Sequence, residues 1–369
     1  MIPYACRFEI LPKPTSGRLG LRLGIGVLLA SIILDGSDSI VCSGMQNLLL
    51  EGKQLSTSGQ RTEQEGAIQV EEILSSAANA DEAFDAENAF RILTHVCEMG
   101  GRVSTSAGML QQQKFLTEFF ETLGVKSALQ RFQAINPVNG QQVELQNLVV
   151  RLHPERRKRL LLACHYDTRP FPDKDPLNPQ GTFIGANDGA SGVGLLCELS
   201  RHLANMEGKY GIDIIFFDGE EFVYVAKRDP MFLGSTYFAE TYAQGRWDVK
   251  YEFAILVDMV GDKELQIGME GNSLNSAPKL TKSIWSVAIE MGSTVFVPKT
   301  LHTIRDDHLP LNYTAKIPTC DIIDFDYPNP TVGNIYWHTE KDIPENCSAE
   351  SLDEVGRVLF EWLRQLQKL

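Results

Sequence analysis

The chain has 369 residues, of which 43% are apolar and 22% charged, and its formal net charge at pH 7 is −14. This composition is ordinary for a globular protein, and the length allows one large domain or two. The excess of acidic residues argues against nucleic acid and anionic membrane surfaces as partners, because both repel a negatively charged protein.

Residues 1–43 have the pattern of a signal peptide or membrane anchor. Four basic residues precede an apolar run over residues 23–34: Arg7, Lys13, Arg18 and Arg22. The run is short for a membrane-spanning helix, and small residues that suit a cleavage site follow it at 41–43. An uncleaved anchor is the alternative. In either case we expect the body of the protein to be exported, whether secreted, periplasmic or membrane-anchored.

The rest of the chain divides into a linker and one domain. Residues 44–80 are polar and rich in Gln, Glu, Ser and Gly, which is typical of a linker. Residues 81–369 contain neither an internal repeat nor a second boundary. We therefore expect a single large domain over this range.

Hydrophobic periodicity predicts the elements of that domain. Helical spacing of apolar residues predicts helices over 83–99, 109–123, 192–203, 231–243, 283–291 and 351–366. Short apolar runs predict strands over 143–152, 160–164, 212–217, 253–257, 264–268 and 318–323. The first two strands flank a basic turn at 155–158 and are expected to form a hairpin, and 264–268 is expected at a sheet edge. Alternating strands and helices predict a three-layer α/β/α domain with a mixed, mostly parallel central sheet.

Chemically active side chains follow the predicted strands. His165 follows one core strand, Glu220 and Glu221 follow the next, and Asp258 ends a third. Asp188 lies in a glycine-rich loop between the first two. Because ligands bind at the carboxyl edge of such sheets, we expect these groups to meet there. A set of imidazoles and carboxylates suits zinc, and the chain has no Cys-x-x-Cys pair to compete for it.

Six segments carry a resemblance to a known family: 162–167 (LACHYD), 185–191 (GANDGAS), 216–221 (FFDGEE), 233–235 (LGS), 306–308 (DDH) and 337–339 (WHT). Together they resemble the animal-type glutaminyl cyclases and their bacterial relatives, within the superfamily of zinc aminopeptidases. The likeness covers roughly residues 80–369, with the motifs in the family order. It implies a catalytic domain that acts on peptide or protein N-termini.

The resemblance assigns roles to individual residues. Three match the zinc ligands: Asp188, Glu221 and His338. Glu220 matches the general acid/base beside the metal. Asp258 and Asp306 match carboxylates that form a hydrogen-bonded acidic network with Glu220 in the cyclases. Trp337 matches an aromatic wall of the substrate pocket.

Two enzymatic readings use nearly the same residues. The first is a glutaminyl-peptide cyclotransferase with one zinc, which forms pyroglutamate and ammonia from N-terminal glutamine. The second is an aminopeptidase with two zinc ions, in which His165 and Asp258 would hold the second ion. The doublet at 306–307 and the aromatic Trp337 favour the cyclase. A non-catalytic binding module that has lost its metal is a third, less favoured class, because every candidate ligand is present.

Some positions depart from the animal cyclase pattern. Ala226 stands where those enzymes have a tryptophan that lines the pocket, and the segment 324–335 is longer than theirs. One cysteine of their disulfide matches Cys164, but its partner position falls on Val193. The residues alone do not give a disulfide pairing, since five cysteines follow the leader and at least one must be unpaired.

Overall fold

The computed structural model describes residues 72–74, 83–328 and 335–368. Within them a six-stranded sheet has the order β1-β2-β4-β3-β5-β8. Its strands are β1 (Ser127–Ile135), β2 (Gln142–Leu152), β3 (Lys158–His165), β4 (Tyr210–Phe217), β5 (Lys250–Asp258) and β8 (Thr319–Ile323). Two short strands, β6 (Ile267–Gly268) and β7 (Phe296–Val297), pair in parallel as a separate sheet.

The strand pairing confirms the mixed, mostly parallel sheet. β2 runs antiparallel to both β1 and β4, whereas β3 is parallel to β4 and β5, and β5 is parallel to β8. All eight residues of β4 are buried, as expected for a strand covered on both faces.

The predicted hairpin between β2 and β3 is wrong, because β4 lies between them. The side chain of Arg159 explains the wide turn. Its guanidinium donates to the backbone oxygens of Leu152 and His153, each at 2.9 Å, and pairs with Asp213 of β4. The turn is thereby attached to the strand that separates β2 from β3.

Two further differences concern weak strands. The predicted edge strand 264–268 shortens to two residues and pairs with β7 instead of the main sheet. β1, which the sequence pattern does not predict, is the true edge next to β2. Phe132 is the one buried residue in that strand, so its sequence lacks the apolar alternation that marks a half-buried strand.

Helices cover both faces of the sheet and complete the three layers. They are α1 (Ala86–Glu98), α2 (Ala107–Thr122), α3 (Ser191–Leu203), α4 (Leu233–Ala243), α5 (Gly271–Ser276), α6 (Pro278–Glu290), α7 (His308–Tyr313) and α8 (Ala349–Lys368). Leu160 and Leu162 of β3 join a core with α1, α2, α3, α6 and α8, whereas Leu161 and Ala163 join a core with α4 and α7. This alternation confirms the predicted α/β/α architecture.

Local signals fix the first two helices. Asp85 caps α1 by accepting from the backbone N–H of Asn88, and Ser106 caps α2 by accepting from that of Met109. After α2 the chain turns at Gly124, whose φ is +70°, and nothing lies within 4 Å of where a Cβ would stand.

The N-terminal predictions fall mostly outside the described residues. The leader at 1–43 lies wholly outside them, as does most of the linker at 44–80. Near the end of the linker, residues 72–74 are helical, and Ile73 is buried in the larger core. Among the helices that the structure describes, none has the length and apolar character to cross a bilayer.

The five cysteines of the described ranges are free thiols, and each is buried: Cys97, Cys164, Cys197, Cys320 and Cys347. Burial raises the pKa of Cys97 to about 12 and the pKa values of the other four well above the ordinary range. The fold is therefore held together without a disulfide in this part of the chain.

Candidate active site

The carboxyl edge of the parallel strands gathers the predicted site residues. His165 ends β3 and Asp258 ends β5. Glu221 follows β4, and Asp188 lies in the tight turn that leads into α3. The loop before α8 adds His338 from far along the chain. All five residues are at least nine-tenths buried.

Asp188, Glu221 and His338 converge as the resemblance implies. His338 Nε2 lies 2.8 Å from Glu221 Oε1 and 3.5 Å from Asp188 Oδ2. One possible ligand atom from each residue lies within 4.8 Å of the other two. A tetrahedral zinc site needs this kind of spacing, since its ligands surround the ion at about 2 Å each.

A second group shares Asp188 with the first. His165 Nε2 lies 3.1 Å from Asp188 Oδ1 and 3.1 Å from Asp258 Oδ1. Asp188 therefore presents one oxygen to each imidazole. This arrangement matches the two adjacent metal positions that the sequence leaves open.

The chemistry of the first group fits a cation. Asp188 Oδ2 is buried and accepts no hydrogen bond from the described residues. Burial opposes a charge on His338, but Glu221, Asp173 and Asp188 outweigh it and raise the pKa of His338 to about 10. The surrounding carboxylates thus favour positive charge here, and Zn²⁺ accepts both imidazole nitrogen and carboxylate oxygen.

Three residues that the sequence pattern does not identify hold the candidate ligands in place. The carboxylate of Asp342 accepts from the backbone N–H of Asp188 at 3.1 Å. Asp173 Oδ1 lies 3.3 Å from His338 Nδ1, and the backbone N–H of Arg169 donates to Glu221 Oε2 at 3.0 Å. Such partners orient the ligands and tune their basicity. Each lies in a loop away from the strand ends and the glycine-rich turn, so no pattern distinguishes it beforehand.

The glycines of the turn at Asp188 are required by its geometry. Gly185 has φ +60°, and a Cβ there would stand 2.4 Å from the backbone oxygen of Asp188. Gly189 has φ +104°, and a Cβ there would stand 3.1 Å from the His165 ring. Glycine alone allows both the left-handed backbone and the close approach.

Asp167 supports the site through two different groups. Its backbone oxygen lies 3.2 Å from His165 Nδ1. Its carboxylate accepts from the backbone N–H groups of Glu220 and Glu221, both at 3.0 Å. One residue thus positions side chains that follow two neighbouring strands.

Glu220 adjoins Glu221 of the candidate metal-binding group, and its carboxyl group has no hydrogen-bond partner in the described part of the chain. The residue is 8% exposed. Burial raises its pKa well above the ordinary value. His165 opposes this rise, whereas Glu221, Asp306 and Asp307 add to it. Glu220 can therefore exchange a proton next to the site.

Asp258 and Asp306 belong to the same buried acidic cluster. Burial raises the pKa of Asp258 to about 6 against the opposing charge of His165. Burial also raises the pKa of Asp306 well above its ordinary value, with Asp321 and Asp258 adding to the shift. In the described part of the chain no direct hydrogen bond joins Glu220 to either aspartate. The carboxyl groups of this cluster therefore affect one another's pKa through their charges.

The sequence profile of Peptidase family M28 matches residues 147–363. The chain belongs to this family. The matched range runs from β2 to the C-terminal helix and contains every site residue that the motifs indicate. Membership implies a zinc site, since solved zinc-dependent exopeptidases are similar to this chain.

Individual relatives refine the comparison. The chain is 26% identical over 288 residues to a bovine glutaminyl-peptide cyclotransferase-like protein. The alignment covers 72% of each chain. It is 33% identical to the solved glutaminyl cyclase of Fimbriiglobus ruber, with TM-score 0.71, covering 77% of this chain and 97% of that one. A leucine aminopeptidase precursor from Bacteroides thetaiotaomicron is 31% identical, with TM-score 0.70. The alignment covers 76% of this chain and 97% of that chain. The resemblance inferred from the motifs is confirmed.

A third buried group in this M28 protein is an ion cluster formed by Glu270, His308 and Asp321. His308 Nδ1 lies 3.2 Å from Asp321 Oδ2, and His308 Nε2 lies 3.3 Å from Glu270 Oε2. The Glu270 carboxylate also accepts N–H groups from Asn272, Ser273 and Ile304. Burial disfavours charge on His308, but Asp321 and Glu270 raise its pKa to about 10. Both ring nitrogens face carboxylates, so the ring serves as an imidazolium bridge.

Trp337 lies directly beside the ligand His338. The two ring centroids are 4.0 Å apart, and Phe325 packs against the indole at 4.8 Å. The ammonium of Lys174 lies 3.1 Å from the centre of the indole. The indole of Trp337 is therefore in contact with both the imidazole of His338 and the ammonium of Lys174.

Proposed function

We propose that this protein is a zinc-dependent glutaminyl-peptide cyclotransferase, which converts N-terminal glutamine of peptides or proteins to pyroglutamate. One observation carries the proposal. Asp188, Glu221 and His338 converge on one point in a chain similar to glutaminyl cyclases. Beside them lies the buried carboxyl group of Glu220, which has no hydrogen-bond partner within the described ranges.

The reaction joins two groups of the same residue. The α-amine nitrogen attacks the γ-carbonyl carbon, the bond from that carbon to the amide nitrogen breaks, and the amide nitrogen leaves as ammonia. A zinc ion held by Asp188, Glu221 and His338 would supply Lewis acidity toward the γ-carbonyl. The Glu220 carboxylate takes one proton from the amine and returns it to the departing nitrogen, so that protons balance.

Neighbouring side chains support this proton transfer. Asp258 and Asp306 keep the surroundings of Glu220 acidic, which favours holding a proton on the cluster. Trp337 forms one wall of the pocket. Ala226, at the animal tryptophan position, is exposed in the loop after β4, so this wall relies on Trp337.

A di-zinc aminopeptidase is the second candidate. The group formed by His165, Asp188 and Asp258 favours it, because its donor atoms are spaced closely enough to hold another ion. In that enzyme Glu220 would activate water instead of relaying a proton from an amine. The two candidates therefore differ in metal content and in the nucleophile.

Metal analysis with paired assays tests the proposal. Purified protein loaded with zinc and dialysed is expected to keep one zinc per molecule. It should release ammonia from an N-terminal glutaminyl peptide and leave leucine anilide intact. Two zinc ions with anilide hydrolysis would establish the aminopeptidase. Zinc-free protein without either activity would point to a binding module.

We also propose that the catalytic domain, residues 81–369, functions outside the cytoplasm. The basic residues and apolar run before residue 44 support export, whether the product is secreted, periplasmic or membrane-anchored. N-terminal sequencing of the mature protein would show whether cleavage follows residues 41–43.

A further inference from the structure

Lys174 is fixed at the edge of the zinc site. Its backbone N–H donates to the backbone oxygen of the ligand His338 at 3.1 Å. Its side chain extends across Trp337, with the ammonium 3.1 Å from the ring centre. The backbone attachment and the aromatic contact both hold this cation beside the ligand.

Lys341 makes a similar contact with Tyr336, the residue that precedes Trp337. Its ammonium lies 5.7 Å from the centre of the Tyr336 ring. Within the described ranges neither lysine forms an ion pair. The neighbouring Asp173 is already engaged by Arg169 at 2.7 Å and by His338 at 3.3 Å. We call these two lysines the lysine rim.

The position of the rim distinguishes it from other lysines. The sequence has 48 acidic residues against 34 lysines and arginines, yet within the described ranges Lys114 and Lys158 are the lysines that form ion pairs. The rim places two unpaired ammonium groups beside the loop that carries His338. An anionic group that came near would pair with them without displacing an existing carboxylate.

A bound peptide would pass this rim, an expectation that rests on the proposed function. The N-terminal glutamine must place its amine near Glu220 and its amide near the ligands. The next residue lies one peptide unit, or about 3.5 Å, further out. Trp337 adjoins His338 and the ammonium of Lys174 lies over its ring, so the side chain of the second residue would leave the site past an ammonium group.

We propose that Lys174, assisted by Lys341, selects glutaminyl peptides with an acidic second residue. The covered indole face offers no stacking surface to an aromatic residue at that position. An exposed ion pair of this kind supports a preference of about two- to fivefold in kcat/KM. The preference is expected to weaken at high salt, because both charges are exposed.

Three peptides that differ only at the second residue test the rim: Gln-Glu, Gln-Gln and Gln-Lys with a common C-terminal extension. Wild type is expected to prefer Gln-Glu to Gln-Gln by about two- to fivefold and to disfavour Gln-Lys. Lys174→Met should bring the ratio to about one, and Lys174→Glu should invert it. Lys126→Met is the matched control, since Lys126 precedes β1 at the opposite edge of the sheet.

A binding measurement separates this inference from the proposed activity. Calorimetric titration of zinc-loaded protein with Ala-Glu and Ala-Gln peptides measures the effect of the rim on peptide affinity, because neither peptide can cyclise. Tighter binding of Ala-Glu that Lys174→Met abolishes supports the rim even if no substrate releases ammonia. Equal binding, no binding, or a ratio unchanged in Lys174→Met overturns it. Absence of ammonia release alone counts only against the cyclase.

Discussion

At the scale of single residues, the carboxylate of Asp188 connects two potential metal positions. Its Oδ1 faces His165 at 3.1 Å and its Oδ2 faces His338 at 3.5 Å. Loss of this one side chain would therefore affect both positions. Glu220 and Glu221 divide their tasks differently, because consecutive side chains diverge and only Glu221 points to His338.

Glu220→Gln tests this division. We expect kcat to fall by about 10²- to 10⁴-fold, because an amide cannot relay the proton. Zinc content should remain that of wild type, since Glu221 provides the ligand. Glu121→Gln, an exposed change in α2, serves as the control. A variant that retains near wild-type kcat would exclude Glu220 as the acid/base.

His308→Asn tests the imidazolium bridge through pH. His308 has a pKa of about 10 in the fold against 6.5 ordinarily, so its stabilisation is complete below about pH 6.5. It is lost as pH rises through about 10. The pKa of Glu270 is lowered to about 2 and adds stability above its ordinary 4.5, so this contribution persists at neutral pH.

We therefore expect His308→Asn to lower the free energy of unfolding by about 3 kcal/mol at pH 7, where the variant leaves two buried carboxylates without their cationic partner. The deficit should shrink between pH 8 and pH 10. Denaturant unfolding of both proteins across this range provides the measurement. A deficit independent of pH would mean that the ring acts by packing alone.

At the scale of elements, the turn before α3 leaves no room for a side chain at Gly185. Gly185→Ala should weaken zinc binding, because its Cβ would meet the backbone oxygen of Asp188 at 2.4 Å. Gly124→Ala has nearly the same φ strain with open space around the Cβ, and should cost only about 1–2 kcal/mol of stability. Equal zinc affinity in the two variants would refute the steric explanation.

The same scale shows where the sequence predicts structure well. α1, α3 and α8 carry strong apolar periodicity, and His165, Asp188, Glu221 and Asp258 each follow a strand or a glycine turn. The strand order depends on contacts that local sequence does not encode, which is why the expected β2–β3 hairpin is wrong. Family likeness identifies His338, whereas Asp173 and Asp342 carry no recognisable pattern.

At the scale of the whole molecule, the carboxyl and amino edges of the parallel strands have different roles. The carboxyl edge holds the chemistry, and the amino edge holds a buried ion cluster around Asp213. This aspartate pairs with Arg159 and lies 3.4 Å from Arg151 Nε, and Tyr251 donates its hydroxyl to it. Arg159 lies six residues from His165 on β3, a separation of about 20 Å.

Arg159→Met is expected to separate stability from activity. The variant should lose about 3 kcal/mol of unfolding free energy, because Asp213 loses its main buried partner. Its kcat/KM below the melting transition should stay within about twofold of wild type, given the distance. Arg157→Met, an exposed neighbour, controls for loss of charge. Reduced zinc content in Arg159→Met would show that the two edges are coupled.

The sequestered thiols have a practical consequence for handling this protein. Reducing agents strong enough to keep cytosolic cysteines reduced would find no bond to break in the described fold, so the domain should assemble in a reducing cytoplasm. Alkylating dyes would leave it largely unmodified. A cysteine introduced at Leu177, which is 93% exposed on the loop after Lys174, would then be the reactive thiol of the described fold and could carry a fluorophore. That label would report peptide docking next to the pocket.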